Sequence, residues 1–232
     1  MRILAVNMKA YDSAFGKRAT EIARKVSDLS STLGRVRIII VAPLLNASRL
    51  SGLYEHVFVQ HVDSVGFGAF TGYTPVSAVR LEGIRGVMVN HSEHKILYRD
   101  LQKIIGEAKR EGLEVLACAD TPQEASAIAY LGPDMIAVEP PELIGTGIPV
   151  SKAKPEVITG GVKAVKLIEP SIKVLAGAGI SEPGDAVKSL ELGSEGILVA
   201  SAIMKSPDPF KEIQRFASAM EEFEEPPTLT SY

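Results

Sequence analysis

Apolar residues along this chain fall into short unbroken runs, each followed by a longer stretch in which they recur every three or four positions. The unbroken runs predict strands at Ile3–Val6, Val36–Val41, Val57–Gln60, Gly86–Val89, Glu114–Cys118, Met135–Val138, Lys173–Gly177 and Gly196–Val199. Most lack polar alternation, which is the pattern of parallel strands covered by helices. The periodic stretches predict helices at Gly16–Leu33, Leu44–Leu50, Pro75–Glu82, Lys95–Glu111, Pro122–Leu131, Pro155–Ile168, Glu182–Leu192 and Asp208–Phe223. Thr121-Pro-Gln-Glu124 has the form of a capping box with proline at the first helical position, and Thr74-Pro75 and Ser206-Pro207 repeat the device more loosely. Pro155–Ile168 is the weakest helix, because Gly160 and Gly161 each cost about 1 kcal/mol in a helix interior.

Eight strand–helix units in strict alternation suit either an open doubly wound sheet or a closed barrel. A chain of 232 residues lies close to the roughly 250 typical of the barrel, which favours an α/β fold of the (β/α)₈ TIM-barrel type. No linker or low-complexity stretch divides it, so residues 1–232 are expected to form a single barrel domain. Only the tail, Glu221–Tyr232 with Pro226-Pro227, reads as peripheral.

A net charge of −3 gives no general attraction for nucleic acid or an anionic membrane, so an anionic substrate must be held by local groups. The longest apolar run, Ile38–Leu45, contains Pro43 and is far short of the ~20 residues of a membrane span. Asn7 and Lys9 come too early for a secretory h-region. Cys118 is the single cysteine, so no internal disulfide can form and a reducing cytoplasm is the expected location. Asn and Gln are scarce and there are 14 prolines, a composition that points to a thermophile. No Cys/His/Asp cluster suggests a metal, and no G-x-G-x-x-G or P-loop lysine suggests a nucleotide, so neither metal nor cofactor is expected.

In a barrel of this type, reactive groups sit at the C-terminal ends of the strands. There the chain carries Asn7-Met-Lys9, Asn90-His-Ser-Glu93, Glu139 before Pro140-Pro-Glu-Leu-Ile-Gly-Thr-Gly147, Gly177-Ala-Gly-Ile180, and Ala200-Ser201. Each alone has a plain reading: a surface lysine, a structural histidine, glycines that punctuate turns. Together they face one way. Glycine-rich turns after the last two strands can bring backbone N–H groups to a phosphate. A carboxylate can remove a proton beside a carbonyl that a histidine polarises, and Lys9 adds a point charge beside the resulting oxyanion.

With Gly68-Ala-Phe-Thr-Gly72 in the third loop, these strings resemble the triosephosphate isomerase family, in its short archaeal-type branch. The resemblance implies interconversion of dihydroxyacetone phosphate and glyceraldehyde 3-phosphate through an enediolate, in glycolysis and gluconeogenesis. It implies Glu139 as the proton-shuttling base, His91 as the electrophile, and Lys9 with Asn7 binding substrate. Ile144, Gly145, Gly179, Ala200 and Ser201 are implied at the phosphate, and Glu93 just behind the residues that touch substrate. Thr71 is implied in a loop that enters a neighbouring subunit's site, within a homotetramer. Two positions depart from the pattern: His94 replaces the usual arginine, and Ala202 stands where many relatives have glycine. Cys118 reads as a packing residue. The alternatives are another phosphate-binding barrel, of prenyl-transfer or tryptophan-pathway type, and an inactive phosphate sensor or scaffold. Neither uses Lys9, His91 and Glu139 together.

Overall fold

The computed structural model describes residues 1–224. Eight parallel strands pair in sequence order and close on themselves, β1 against β8. They are β1 Arg2–Asn7, β2 Val36–Ala42, β3 Val57–Val59, β4 Gly86–Val89, β5 Glu114–Ala119, β6 Met135–Val138, β7 Lys173–Ala176 and β8 Gly196–Val199. The helices are α1 Gly16–Ser30, α2 Leu44–Ser51, α3 Val76–Leu81, α4 Tyr98–Arg110, α5 Pro122–Ala129, α6 Val150–Ala153, α7 Pro155–Lys166, α8 Pro183–Glu191, α9 Ser201–Met204 and α10 Pro209–Glu222. The eight expected strands and eight expected helices are all present. The single-turn helices α6 and α9 are additional, as are short 3₁₀ turns at Asp12–Ala14, Ser92–His94 and Pro141–Leu143.

Unbroken apolar strands follow from burial on both faces. Ile3, Ala5, Ile39, Val41, Phe58, Met88, Leu116, Cys118, Met135, Ala137, Leu175 and Leu198 form one buried cluster that fills the barrel. Alternate residues such as Leu4, Val6, Ile38 and Ile40 pack outward against the helices. The N-terminal end of the barrel is closed by charge: the Arg37 guanidinium meets both carboxylate oxygens of Glu114 at 2.7 and 2.8 Å, and Arg85 adds a third contact at 2.8 Å.

Three expectations need correction. Helix α4 begins at Tyr98 rather than Lys95, because a 3₁₀ turn and extended backbone at Lys95 and Leu97 precede it. Gly161 in α7 reflects packing: a Cβ there would lie 2.9 Å from Val138 Cγ2, so glycine lets the helix sit close on β6. Glu221 is not peripheral. It lies in α10, and its carboxylate accepts from the Gly34 and Arg35 N–H groups ahead of β2. Pro226-Pro227 lies outside the described residues. Among the described residues no helix is long and apolar enough to cross a membrane.

Candidate active site

The two-residue period of the strands aims several candidate side chains into the barrel mouth. On β1 the inward series Ile3, Ala5 continues to Asn7; on β6, Met135 and Ala137 continue to Glu139. Glu139 is held by its N–H on Ala119 O at 2.8 Å, and the residue is only 6% exposed.

His91 is out of phase with Met88, the inward residue of β4. Asn90 resets the phase: its φ of 61° turns the chain so that His91 swings over the mouth. Asn tolerates this left-handed conformation better than most residues. Its side chain fixes the turn, donating to Cys118 O and Glu124 Oε1 at 2.9 Å each and accepting from the Ile96 N–H at 3.3 Å. His91 then caps the 3₁₀ turn, its Nδ1 accepting from the Glu93 N–H at 3.1 Å. An imidazole that accepts at Nδ1 carries its proton on Nε2, and Nε2 lies 3.6 Å from Glu139 Oε2. Burial, with the nearby Lys9 ammonium, lowers the His91 pKa and favours the neutral ring.

The Glu139 carboxyl is pushed the other way. Burial raises it to about 7, against the opposing pull of Lys9 and a hydrogen bond with Cys118. Oε2 has no hydrogen-bond partner among the described residues. A buried carboxylate with one unused oxygen and a pKa near neutrality is suited to accepting a proton.

Lys9 also departs from ordinary backbone, with φ 45°. Its N–H donates to Asn7 Oδ1 at 3.0 Å, and Gln60 Nε2 reaches Asn7 Oδ1 at 3.1 Å and Lys9 O at 3.2 Å. Both donors fall on Asn7 Oδ1, so the amide nitrogen is the free end of that side chain. The Lys9 ammonium meets Glu93 Oε1 at 2.6 Å, which places Glu93 between Lys9 and the backbone that holds His91.

Opposite these groups lie the late turns. One cleft is lined by Asn7, Lys9, His91 and Glu139 and also by Ile144, Gly145, Gly179, Ala200 and Ser201. It therefore gathers all nine residues expected to touch substrate. The N–H groups of Gly179, Ser201 and Ala202 find no acceptor among the described residues. Gly179 has φ +74°, and a Cβ there would lie 1.8 Å from Ile148 O, so its backbone runs against the segment that follows Pro140–Gly147. Gly177 gives Glu139 room, since a Cβ there would meet Oε1 at 2.5 Å. Thr71 lies away from this cleft, on an exposed loop.

Several contributors receive no role of their own from the sequence. Tyr11 and Ile180 line the cleft, and Asn90 and Gln60 orient its polar groups; an Asn before the histidine and a polar end to β3 were the available signals. Of the two departures, His94 stacks on His61 with centroids 4.0 Å apart, and Ala202 packs partly buried against the core. Cys118 is buried inside the barrel, as expected, and lies against Glu139. Among the described residues no group of three His, Cys, Asp or Glu side chains is arranged to hold a metal ion.

Fold and site together define a (β/α)₈-barrel enzyme with a buried carboxylate facing an imidazole, and with unpaired backbone N–H groups on the late turns. The triosephosphate isomerase family model matches residues 2–217. The triosephosphate isomerase of Methanocaldococcus jannaschii is 42% identical over 206 residues, covering 88% of this chain and 93% of that protein. That of Archaeoglobus fulgidus is 40% identical over 220 residues, covering 95% and 99%. That of Sulfurisphaera tokodaii is 41% identical over 215 residues, covering 92% and 93%. The chain belongs to the triosephosphate isomerase family, which sets aside the prenyl-transfer and tryptophan-pathway barrels.

Proposed function

We propose that this cleft interconverts dihydroxyacetone phosphate and glyceraldehyde 3-phosphate, with the residues dividing the work as follows. The Glu139 carboxylate removes a proton from the carbon beside the carbonyl, and the electron pair of the broken C–H bond moves into an enediolate. The same carboxyl returns the proton to the neighbouring carbon. His91, neutral and protonated on Nε2, donates that proton to the oxygen on which negative charge develops and takes one back from the neighbouring hydroxyl, so that the carbonyl ends on the other carbon. Lys9 stabilises that charge, and the Asn7 amide orients the substrate. The phosphate rests against Gly179, Ala200 and Ser201, with Ile144 and Gly145 closing over it.

The observation that carries this reading is the facing pair: Glu139 Oε2, buried and unpartnered, 3.6 Å from His91 Nε2. Burial shifts the two groups in opposite directions, raising the carboxyl and lowering the imidazole. Triosephosphate isomerases make such a division, with a glutamate base and a neutral histidine. Supporting a single barrel domain is the closure of β1 on β8. Supporting a homo-oligomer, a tetramer with Thr71 near a partner's site, are Phe67, Phe70 and Tyr73, all exposed on the loop that contains Thr71. A cytoplasmic location fits the single, reduced cysteine.

The test is an isomerase assay on the purified wild type, supplying glyceraldehyde 3-phosphate and measuring dihydroxyacetone phosphate. Steady turnover is expected, with competitive inhibition by inorganic phosphate. A protein that binds phosphate and turns over neither triose would contradict the reading.

A further inference from the structure

Outside the cleft, one carboxylate stands apart. Asp185, the third residue of α8, is fully buried, and the proposed chemistry does not use it. Burying an ionised carboxylate costs several kcal/mol unless donors surround it, and here the donors come from the turn after β7. Oδ2 accepts from the Ser181 N–H and hydroxyl at 3.0 Å each and from the Glu182 N–H at 3.1 Å. Oδ1 lies 2.8 Å from the Lys152 ammonium, which reaches across from α6. Burial alone would raise this carboxyl, but Lys152 and the Ser181 and Glu182 donors outweigh it and the pKa is lowered.

The same turn is held at its other end by the segment that follows Pro140–Gly147. Val150 N–H donates to Ala178 O at 3.1 Å, and Gly179 packs against Ile148 O. Gly179 and Ile180, which line the cleft, are thus strung between two anchors. One is backbone, at Ala178. The other is the Asp185 side chain, at Ser181 and Glu182. Lys152 joins the two, since it sits within α6 and pairs with both Asp185 and Glu182.

We infer that Asp185 is a positioning residue for phosphate recognition: it fixes the 177–182 turn so that the Gly179 amide meets the phosphate, and it does so without touching substrate. This rests on the proposed place of the phosphate at Gly179. A residue that only capped α8 would affect stability and nothing else, so binding separates the two roles.

The experiment measures the affinity of inorganic phosphate by titration calorimetry, with KM and kcat for the triose phosphate, in the wild type and three variants. Asp185→Ala is expected to weaken phosphate binding at least about tenfold and to raise KM by a similar factor. Asp185→Asn, which keeps one acceptor oxygen, should fall between. Asp208→Ala is the stability control: it removes the carboxylate that accepts from the Lys211 N–H at the start of α10. It should lower Tm while leaving phosphate affinity and KM within about twofold. Should Asp185→Ala not fold, Ser181→Ala and Asp185→Asn serve instead, with losses of a few-fold expected. Phosphate affinity and KM unchanged in the Asp185 variants, with Tm lowered as in Asp208→Ala, would overturn the inference. Because phosphate affinity is read without turnover, a wild type that binds phosphate but does not isomerise contradicts the functional reading alone.

Discussion

Asn90 and Glu139 show how single residues set the chemistry. The φ of 61° at Asn90 is what brings His91 over the barrel mouth, and the three hydrogen bonds of its side chain hold that turn. Asn90→Ala is expected to cut kcat at least about tenfold with a smaller change in KM, since alanine resists this conformation and drops the tether. Asn90→Gly, which keeps the conformation and loses only the tether, should retain more activity. Equal activity in wild type and Asn90→Ala would show that the turn does not position His91. At Glu139 the raised pKa also has a cost in stability. The folded state holds this proton more tightly than the unfolded chain, so its contribution declines as pH rises from about 4.5 to about 7. The loss amounts to about 3 kcal/mol. Glu139→Gln removes the titration, so thermal melts should show the variant gaining on the wild type as pH rises from 4.5 to 8. A gap in Tm that stays constant with pH would contradict the burial argument.

At the scale of elements, what was legible in the sequence depended on length and on period. Strands and long helices announced themselves because both faces of each strand and one face of each helix are buried. The helices α6 and α9 have only four residues each, too few for any period to register. Polar residues closing apolar runs identified Asn7, Lys9, His91 and Glu139. Gln60 closed such a run too, but within a predicted strand it carried no chemical signal until its amide was placed on Asn7 and Lys9. Gly160-Gly161 read as a weakness, and a single sequence cannot reveal that Val138 needs the space. The Pro140–Gly147 segment is an element for which a function of its own, as a lid, is proposed. Pro141–Leu143 is a 3₁₀ turn, Leu143 is buried, and Thr146 Oγ1 ties the segment by donating to Leu143 O at 2.8 Å. The Glu142 carboxylate pairs with Lys154 beyond it. Gly145 and Gly147, both at φ +75°, supply flexible joints at the far end. As a rigid flap on such joints, the segment would exclude water from an intermediate. Deleting residues 142–146 should preserve the barrel, slow isomerisation and raise the share of substrate lost as methylglyoxal and free phosphate. Slower isomerisation without more phosphate release per turnover would make the segment a binding element only.

For the molecule as a whole, the barrel separates stability from chemistry by its two ends. The N-terminal end is closed by Arg37, Arg85 and Glu114, while the reactive groups lie at the C-terminal end. Outside that division lies the exposed apolar loop. Phe67, on the loop that holds Thr71, is 65% exposed, and Leu45 at the start of α2 is 87% exposed; the proposed assembly would cover such side chains. Phe67→Glu is therefore expected to shift the sedimenting species to a smaller oligomer and to lower activity with it. An active monomer of the wild type at assay concentration would contradict assembly through this loop. The central claim, that Glu139 is the base, is tested most directly by kcat/KM for glyceraldehyde 3-phosphate in Glu139→Gln beside the wild type. The amide keeps the size and loses the proton acceptor, so with the fold and phosphate affinity intact the ratio should fall by about 10² or more. A loss of less than about tenfold would assign proton transfer to another group.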